Sequence, residues 1–168
     1  MQLSWFDNDA TQLSDGFPRR MVLLDCETTG GNATRNRIIE IGLLVIEEGK
    51  LMERWQTFVD PQTTLPPFIQ KITGINPRML IGAPIFSDIA EQLLEHLNDR
   101  ALVAHNARFD YGFLKNEFAR IGIKFSTKPL CSVKFSRALF PQFNRHGLSP
   151  IIKRFDLTIE NRHRAMDD

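Results

Sequence analysis

The chain has 168 residues, enough for one domain with a buried core and too few for two ordinary domains. Apolar residues make up 42% and charged residues 24%, which is typical of a globular protein and excludes a disordered or collagen-like chain. Twenty-one basic and twenty acidic residues leave a formal charge of +1, so the overall charge indicates no particular partner. Cys26 and Cys131 each lie in an apolar run, and we expect both to be reduced, buried thiols.

The sequence contains no sign of a membrane span or of export. No stretch approaches the roughly 18 consecutive apolar residues that a membrane-spanning helix needs. The N-terminal residues lack both the basic start and the apolar centre of a secretory signal. We therefore expect a cytoplasmic domain.

The predicted elements follow one another as a meander and then as an alternation of helices and strands. Residues 1–20 are polar without a sustained period and are expected to form a tail or arm, and residues 21–168 the domain. We expect strands at 21–26, 38–46, 52–60, 101–105 and near 129–131, the first of them buried on both faces. We expect one or two short helices within 67–81 and longer helices at 86–97, 107–121, 132–139 and 148–155. This order predicts an α/β fold with a mixed sheet.

Basic residues are concentrated near the end of the chain. Residues 124–164 contain nine basic and two acidic residues, whereas residues 1–123 contain twelve basic and sixteen acidic ones. A run of this kind is either a solvated face or a surface that binds a polyanion. The run alone does not decide between these two interpretations.

Two carboxylates, Asp25 and Glu27, lie at the end of the first predicted strand. An ionised carboxylate directly after four apolar residues is costly unless it is paired or coordinates a cation. Residues i and i+2 of a strand point to the same side, so both carboxylates would converge at the carboxyl edge of the sheet, where open α/β sheets place their sites. The alternative is a pair of surface acids in a turn.

A third acid, Asp110, lies in the first turn of the helix predicted at 107–121. It precedes Phe113 by three residues and Leu114 by four, which places it on the apolar, inward face of that helix. Helix first turns favour acidic residues through the helix dipole. The helix dipole would therefore account for an acid in the first turn. It does not account for the position of Asp110 on the inward face of the helix.

The last six residues, HRAMDD (163–168), contain a histidine and two acids. His163 and Asp168 are five residues apart and cannot share one face of a regular helix. We therefore expect His163 on a loop and Asp168 on the helix that follows it.

The acidic residues together favour a site for hard cations. Four acids and a histidine, without the Cys/His spacing of a zinc site, suit Mg²⁺ or Mn²⁺. A carboxylate cluster that holds two such ions is a common device for in-line attack on a phosphodiester. The basic residues of 124–164 would contact further backbone phosphates. The residues thus predict metal-assisted phosphodiester hydrolysis.

Three motifs in this order resemble a known family. DCETTG (25–30), HNARFD (105–110) and HRAMDD (163–168) are similar to the motifs of the DEDDh 3′–5′ exonucleases, the DnaQ-like family typified by the proofreading subunit of bacterial DNA polymerase III. IIEIG (38–42) and ITGI (72–75) also resemble stretches of this family. The resemblance implies an RNase H-like fold with a mixed five-stranded sheet. It also implies that Asp25, Glu27, Asp110 and Asp168 are catalytic residues that bind two divalent cations, and that His163 is the general base.

The resemblance further implies a pocket for the terminal nucleotide. Its expected substrate-binding residues are Thr28, Thr29, Gly30, Ile72, Thr73, His105, Asn106 and Phe109. Some family members carry a histidine in place of Thr73, and a histidine at a strand end such as His105 is more often a hydrogen-bonded structural residue. The chain stops at Asp168, whereas the family continues into a helix, so we expect a domain truncated at its C-terminus.

The leading functional hypothesis is a metal-dependent 3′–5′ exonuclease that releases nucleoside monophosphates from single-stranded or frayed DNA ends, in proofreading or repair. One alternative is an exoribonuclease that trims RNA ends, which recognition of the 2′-hydroxyl would decide. The other is a non-catalytic module that docks a DNA polymerase or a fused nuclease domain. The carboxylate cluster argues against the docking module, because burying these charges is unfavourable and a docking domain does not need them.

Overall fold

The computed structural model describes residues 18–158 and 164–165. Its strands are β1 (Arg20–Thr28), β2 (Ile38–Glu47), β3 (Lys50–Phe58), β4 (Ala101–Ala104) and β5 (Leu130–Cys131). Its helices are α1 (Pro67–Thr73), α2 (Phe86–Leu97), α3 (Arg108–Arg120), α4 (Ser132–Leu139) and α5 (Leu148–Phe155), with a 3₁₀ helix at Pro77–Leu80. Every predicted strand and helix is present, and α2, α4 and α5 have the predicted bounds. None of these helices is both long and apolar enough to cross a membrane.

The five strands form one mixed sheet in the order β3-β2-β1-β4-β5. The pairs β1–β2 and β2–β3 are antiparallel, and β4 pairs parallel with both β1 and β5. The predicted mixed five-stranded sheet of an RNase H-like fold is therefore confirmed. Because β1 and β4 are parallel, their carboxyl ends meet at the same edge of the sheet, directly before the start of α3.

A two-residue hairpin turn sets the register of β2 against β3. Glu48 and Gly49 have φ values of 49° and 74°, the left-handed conformation that this tight connection requires. The turn at residues 47–50 thus joins the two strands directly. The resulting register places Gly42 opposite Gln56 and Glu40 opposite Phe58.

The main core lies between one face of the sheet and helices α2 and α3. On β1 it is formed by Val22, Leu24 and Cys26, and from the helices it contains buried phenylalanines such as Phe86, Phe113 and Phe118. The rings of Phe86 and Phe118 meet edge to face at 5.0 Å between centroids, which holds α2 against α3. This packing fixes α3 across the sheet and so determines where its first turn meets β1.

The opposite face of β1 is open, contrary to the prediction of a strand buried on both faces. Leu23 is 37% exposed, and Asp25 and Glu27 are half-buried, whereas the alternate residues are buried. A cavity of about 310 Å³ lies on this face, lined by β1, β2 and β4, by Leu148 and Ile151 of α5, and by Ala165. The apolar run was misleading because α2 and α3 cover only one side of the strand.

The cysteines agree with the prediction only in part. Both thiols are free, and Cys26 is buried as expected. Cys131, at the short edge strand β5, is half-buried rather than buried. An edge strand of two residues provides too little covering structure to bury its side chains fully.

Candidate active site

Asp110 is buried at the point where α3 meets β1. Its carboxylate Oδ1 accepts a hydrogen bond of 3.1 Å from the backbone N–H of Cys26, and the residue is only 1% exposed. The inward orientation predicted from the helical period is therefore confirmed. This bond places Asp110 directly beside the strand segment that carries Asp25 and Glu27.

Burial and the carboxylate of a second residue both favour the protonated form of Asp110. The pKa of Asp110 is raised well above its ordinary value, first by burial and then by repulsion from the charge of Asp25. Hydrogen bonds to the carboxylate from the backbone of Asp110 and of Cys26 oppose this shift. Asp25 and Asp110 thus interact electrostatically although they are far apart in the sequence.

The thiol of Cys26 is surrounded by negative charge. Its pKa is raised well above its ordinary value by burial first, and then by Asp110, Asp25, Glu27 and Glu117. These acids come from β1 and α3. Asp25 lies opposite Gly42 in the β1–β2 register and lines the open cavity, since glycine adds no side chain on that side. Asp25, Glu27 and Asp110 therefore belong to one acidic region at the carboxyl end of β1.

Part of the predicted metal-ligand set lies outside the described residues. Within residues 18–158 and 164–165, no group of three or more histidine, cysteine, aspartate or glutamate side chains is arranged to hold a metal ion. The predicted ligand Asp168 and the predicted base His163 are not among these residues. Their neighbours Arg164 and Ala165 are described, and Ala165 lines the same cavity as Asp25.

The turn after β1 is held by its own side chains. The Thr28 hydroxyl donates to the Gly30 carbonyl at 2.8 Å, and the Thr29 hydroxyl accepts from the Arg37 N–H at 3.0 Å. A Cβ on Gly30 would come within 2.8 Å of the Asn36 side chain, so only glycine fits there without a shift. Thr28 and Thr29 are buried, and a substrate at this turn would meet backbone groups rather than their hydroxyls.

Ile72 and Thr73, at the end of α1, differ in what they present to solvent. Ile72 is half exposed, at 50%. Thr73 is buried, and its hydroxyl donates to the Ile69 carbonyl and accepts from the Ile75 N–H. Of the two predicted substrate contacts, only the Ile72 side chain is open to a ligand.

The segment between β4 and α3, together with the first turn of α3, carries three further candidates. The His105 Nδ1 lies 2.8 Å from the Ser132 hydroxyl, a hydrogen bond that supports the expected structural role, and His105 also lines the cavity. Asn106 is exposed with φ at 62°. Phe109 is half-buried, and its ring packs on that of Phe113 at 4.9 Å.

Two buried glutamates near the site were not singled out from the sequence. Glu117 accepts from Arg37 Nε at 2.9 Å and from the Ile38 N–H at 3.1 Å, and so fixes the end of the turn that begins after Thr28. Glu40 accepts from Arg164 and from the Ala165 N–H. Both carry a signal in the sequence: Glu117 follows Asp110 by seven residues on the same helix face, and Glu40 interrupts an apolar strand.

The raised pKa of Asp110 predicts that the contribution of this carboxyl to the stability of the metal-free protein falls as the pH rises. A carboxyl whose pKa is higher in the folded chain binds its proton more tightly there, so its stabilising effect is lost as the pH passes upward through the folded pKa. Asp110→Asn removes this titration. Urea unfolding in EDTA between about pH 4 and pH 8 should give a free energy of unfolding that declines less with pH in the variant. Equal declines would contradict the assignment.

Comparison with known proteins identifies the family and the fold of this chain. A family model described as exonuclease, RNase T, matches residues 22–168. The PolC-type DNA polymerase III of Clostridium perfringens is 33% identical over 154 residues, which cover 92% of this chain and 11% of that protein. The chain thus spans about a tenth of the length of the curated relatives it matches.

Solved structures share the fold at low sequence identity. E. coli exonuclease I in complex with a dT13 oligonucleotide superposes with a TM-score of 0.77 at 18% identity, covering 89% of this chain and 38% of that one. The nuclease domain of 3′hExo, a DEDDh family member bound to rAMP, gives a TM-score of 0.74 at 17% identity, covering 89% and 86%. The resemblance to the DnaQ-like 3′–5′ exonucleases is confirmed, and the chain belongs to the RNase T family of exonucleases.

Proposed function

We propose that this protein is a two-metal-ion 3′–5′ exodeoxyribonuclease that removes nucleoside monophosphates from single-stranded or frayed DNA ends. The proposal rests on one observation above all, which is the difference between Asp110 and the other buried acids. Glu40, Asp110 and Glu117 are each no more than 1% exposed. Glu40 pairs with Arg164 and Glu117 with Arg37, whereas Asp110 forms no ion pair with a described residue and is repelled by Asp25.

This difference supports a cation site at Asp25 and Asp110. Asp25 raises the pKa of the buried Asp110, so a cation bound between the two carboxylates would relieve their repulsion, and oxygen donors suit Mg²⁺ or Mn²⁺. Asp25, Glu27, Asp110 and Asp168 would hold two such ions. Bound there, the ions would supply Lewis-acid stabilisation of the phosphate and activation of water.

The remaining chemistry belongs to side chains and backbone of this chain. His163 accepts the proton of the attacking water as general base. The backbone of residues 28–30 contacts the terminal nucleotide together with the side chain of Ile72, and Thr73 contributes through its backbone. Phe109, with the neighbouring His105 and Asn106, contacts the terminal base, and stacking on an aromatic ring tolerates any base.

The substrate, the partner and the location form the second part of the proposal. The relative from C. perfringens is named a DNA polymerase, and the exonuclease I structure holds a DNA oligonucleotide, which supports DNA and a polymerase context. The basic residues of 124–158 provide positive charge for the backbone phosphates. We place the activity in residues 21–168, in the cytoplasm. The rAMP in the 3′hExo structure makes RNA the second candidate substrate.

Labelled oligonucleotides test the proposal directly. Single-stranded DNA and RNA of the same sequence, labelled at the 5′ end, are incubated with the full chain and Mn²⁺ or Mg²⁺, with and without EDTA. We expect the DNA to shorten one nucleotide at a time from its 3′ end, faster than the RNA, and EDTA to stop the reaction. Faster shortening of RNA would favour the exoribonuclease. No shortening of either substrate would favour the docking module.

A further inference from the structure

Glu40 is a buried carboxylate in the middle of an apolar strand. It is fully buried within IIEIG (38–42). Arg164 Nη2 donates to its Oε1 at 2.7 Å and Arg164 Nε to its Oε2 at 3.1 Å, so the pair is bidentate. The Ala165 N–H donates to Oε2 at 3.1 Å and Gln56 Nε2 to Oε1 at 2.7 Å. Glu40 thus binds the side chain of Arg164 and the backbone of Ala165, the two described residues of the C-terminal segment 163–168.

The strand register places this carboxylate on the same face as the acidic region. Glu27 lies opposite Glu40, and Asp25 opposite Gly42, in the antiparallel pair β1–β2. Residues directly opposite one another in such a pair project from the same face of the sheet. Arg164 also lies over the ring of Phe58, which pairs with Glu40 from the other neighbouring strand, at 5.3 Å from the ring centroid. Arg164 and Ala165 are therefore fixed on the open face, beside Asp25 and Glu27.

Stability alone does not account for such a pair. Removing two charges from water offsets much of their attraction, so a buried ion pair is often no more stabilising than an apolar pair of the same size. Breaking one is strongly unfavourable, because it leaves a buried charge without its partner. The arrangement therefore specifies where a segment lies more than it adds to the free energy of unfolding.

We propose that Glu40 is a positioning residue, whose bonds to Arg164 and Ala165 hold the C-terminal segment at the site and so bring Asp168 to the metal ions. The proposal rests on the function proposed above. Asp168 follows Ala165 by three residues, and three residues span at most about 11 Å, so fixing Ala165 limits how far Asp168 can be from Asp25. His163 precedes Arg164 directly and is limited in the same way.

The test replaces Glu40 and measures metal binding separately from turnover. Glu40→Gln keeps the size of the side chain and an acceptor for Ala165 but removes the charge that holds Arg164. Glu47→Gln is the matched control, because Glu47 lies at the other end of the same strand and accepts from Arg100 at 2.8 Å and from Arg20 at 3.3 Å. For each full-length variant, calorimetry gives the Mn²⁺ affinity, oligonucleotide hydrolysis gives kcat and KM, and circular dichroism gives the folded fraction.

We expect Glu40→Gln to weaken Mn²⁺ binding and to lower kcat, each about 10- to 100-fold, with KM within about twofold of wild type. Glu47→Gln should leave Mn²⁺ affinity and kcat unchanged. Wild-type Mn²⁺ affinity in folded Glu40→Gln would overturn the positioning role while leaving the proposed function intact. Absence of Mn²⁺ binding or hydrolysis by the wild-type chain would instead remove both proposals.

A second variant decides the question if Glu40→Gln does not fold. Arg164→Lys keeps the positive charge but cannot form the bidentate pair. We expect it to remain folded and to bind Mn²⁺ more weakly than wild type. Wild-type Mn²⁺ affinity in Arg164→Lys would overturn the proposal, because the geometry of the pair would then not matter.

Discussion

Asp25→Asn should abolish metal binding at the site and reduce turnover by about 10³-fold or more, since it removes one ligand shared by the proposed ions. The variant keeps the shape of the side chain, and it faces an open cavity, so the fold should persist. Asp25 also raises the pKa of Asp110. In the metal-free variant, that pKa should therefore move back towards the ordinary value of an aspartate.

Asp99→Asn is the matched control for this variant. Asp99 is an exposed acid before β4, at the opposite end of the strand from the acidic region, and its φ of 52° suits asparagine equally well. Calorimetric titration with Mn²⁺ and single-turnover hydrolysis of a DNA oligonucleotide should give wild-type values for Asp99→Asn. An Asp25→Asn protein that binds Mn²⁺ as tightly as wild type would contradict the role given to Asp25.

Local patterns in the sequence were sufficient for the elements and for the inward face of Asp110. The spacing of apolar residues in α2 and α3 repeats with the helical period, so both their existence and their buried faces could be predicted. The burial of β1 could not be, because a continuous apolar run does not show which side of a strand other elements will cover. Leu23 and Asp25 face the cavity for this reason.

No local pattern in the sequence could predict which distant residues form ion pairs. Arg164 binds Glu40 from 124 residues further along the chain, and Arg37 binds Glu117 across 80 residues. The periodicity that identified Asp110 would also have placed Glu117 on the inward face of α3. The sequence shows that such a buried acid needs a partner, but the partner depends on the completed fold.

The buried acids around the site differ in whether an arginine compensates their negative charge. Glu40 and Glu117 are neutralised by arginines and organise backbone around the site, at Ala165 and at Ile38 respectively. Asp110, by contrast, carries a charge that burial and Asp25 both oppose. Ion pairs thus hold the surrounding segments, and the unfavourable charge is kept where a cation would relieve it.

His163→Ala should slow hydrolysis by about 10²- to 10⁴-fold, the usual range for loss of a general base. Because His163 is proposed as a base and not as a metal ligand, Mn²⁺ affinity and the KM for a DNA oligonucleotide should stay near wild type. Loss of the base should also remove the acid limb of the pH dependence of kcat. Added imidazole should restore part of the rate, since it can accept the proton in place of the missing ring.

His96→Gln provides the control for removing an imidazole elsewhere. His96 lies near the end of α2, where its ring contacts that of Trp55 at 5.4 Å and its Nδ1 lies 3.5 Å from Glu53. Its replacement should leave kcat per folded molecule and the shape of the pH profile unchanged. If His163→Ala kept the wild-type rate at saturating Mg²⁺, or if its Mn²⁺ affinity fell together with kcat, His163 would not be acting as the base, because a base removes the proton without holding the metal.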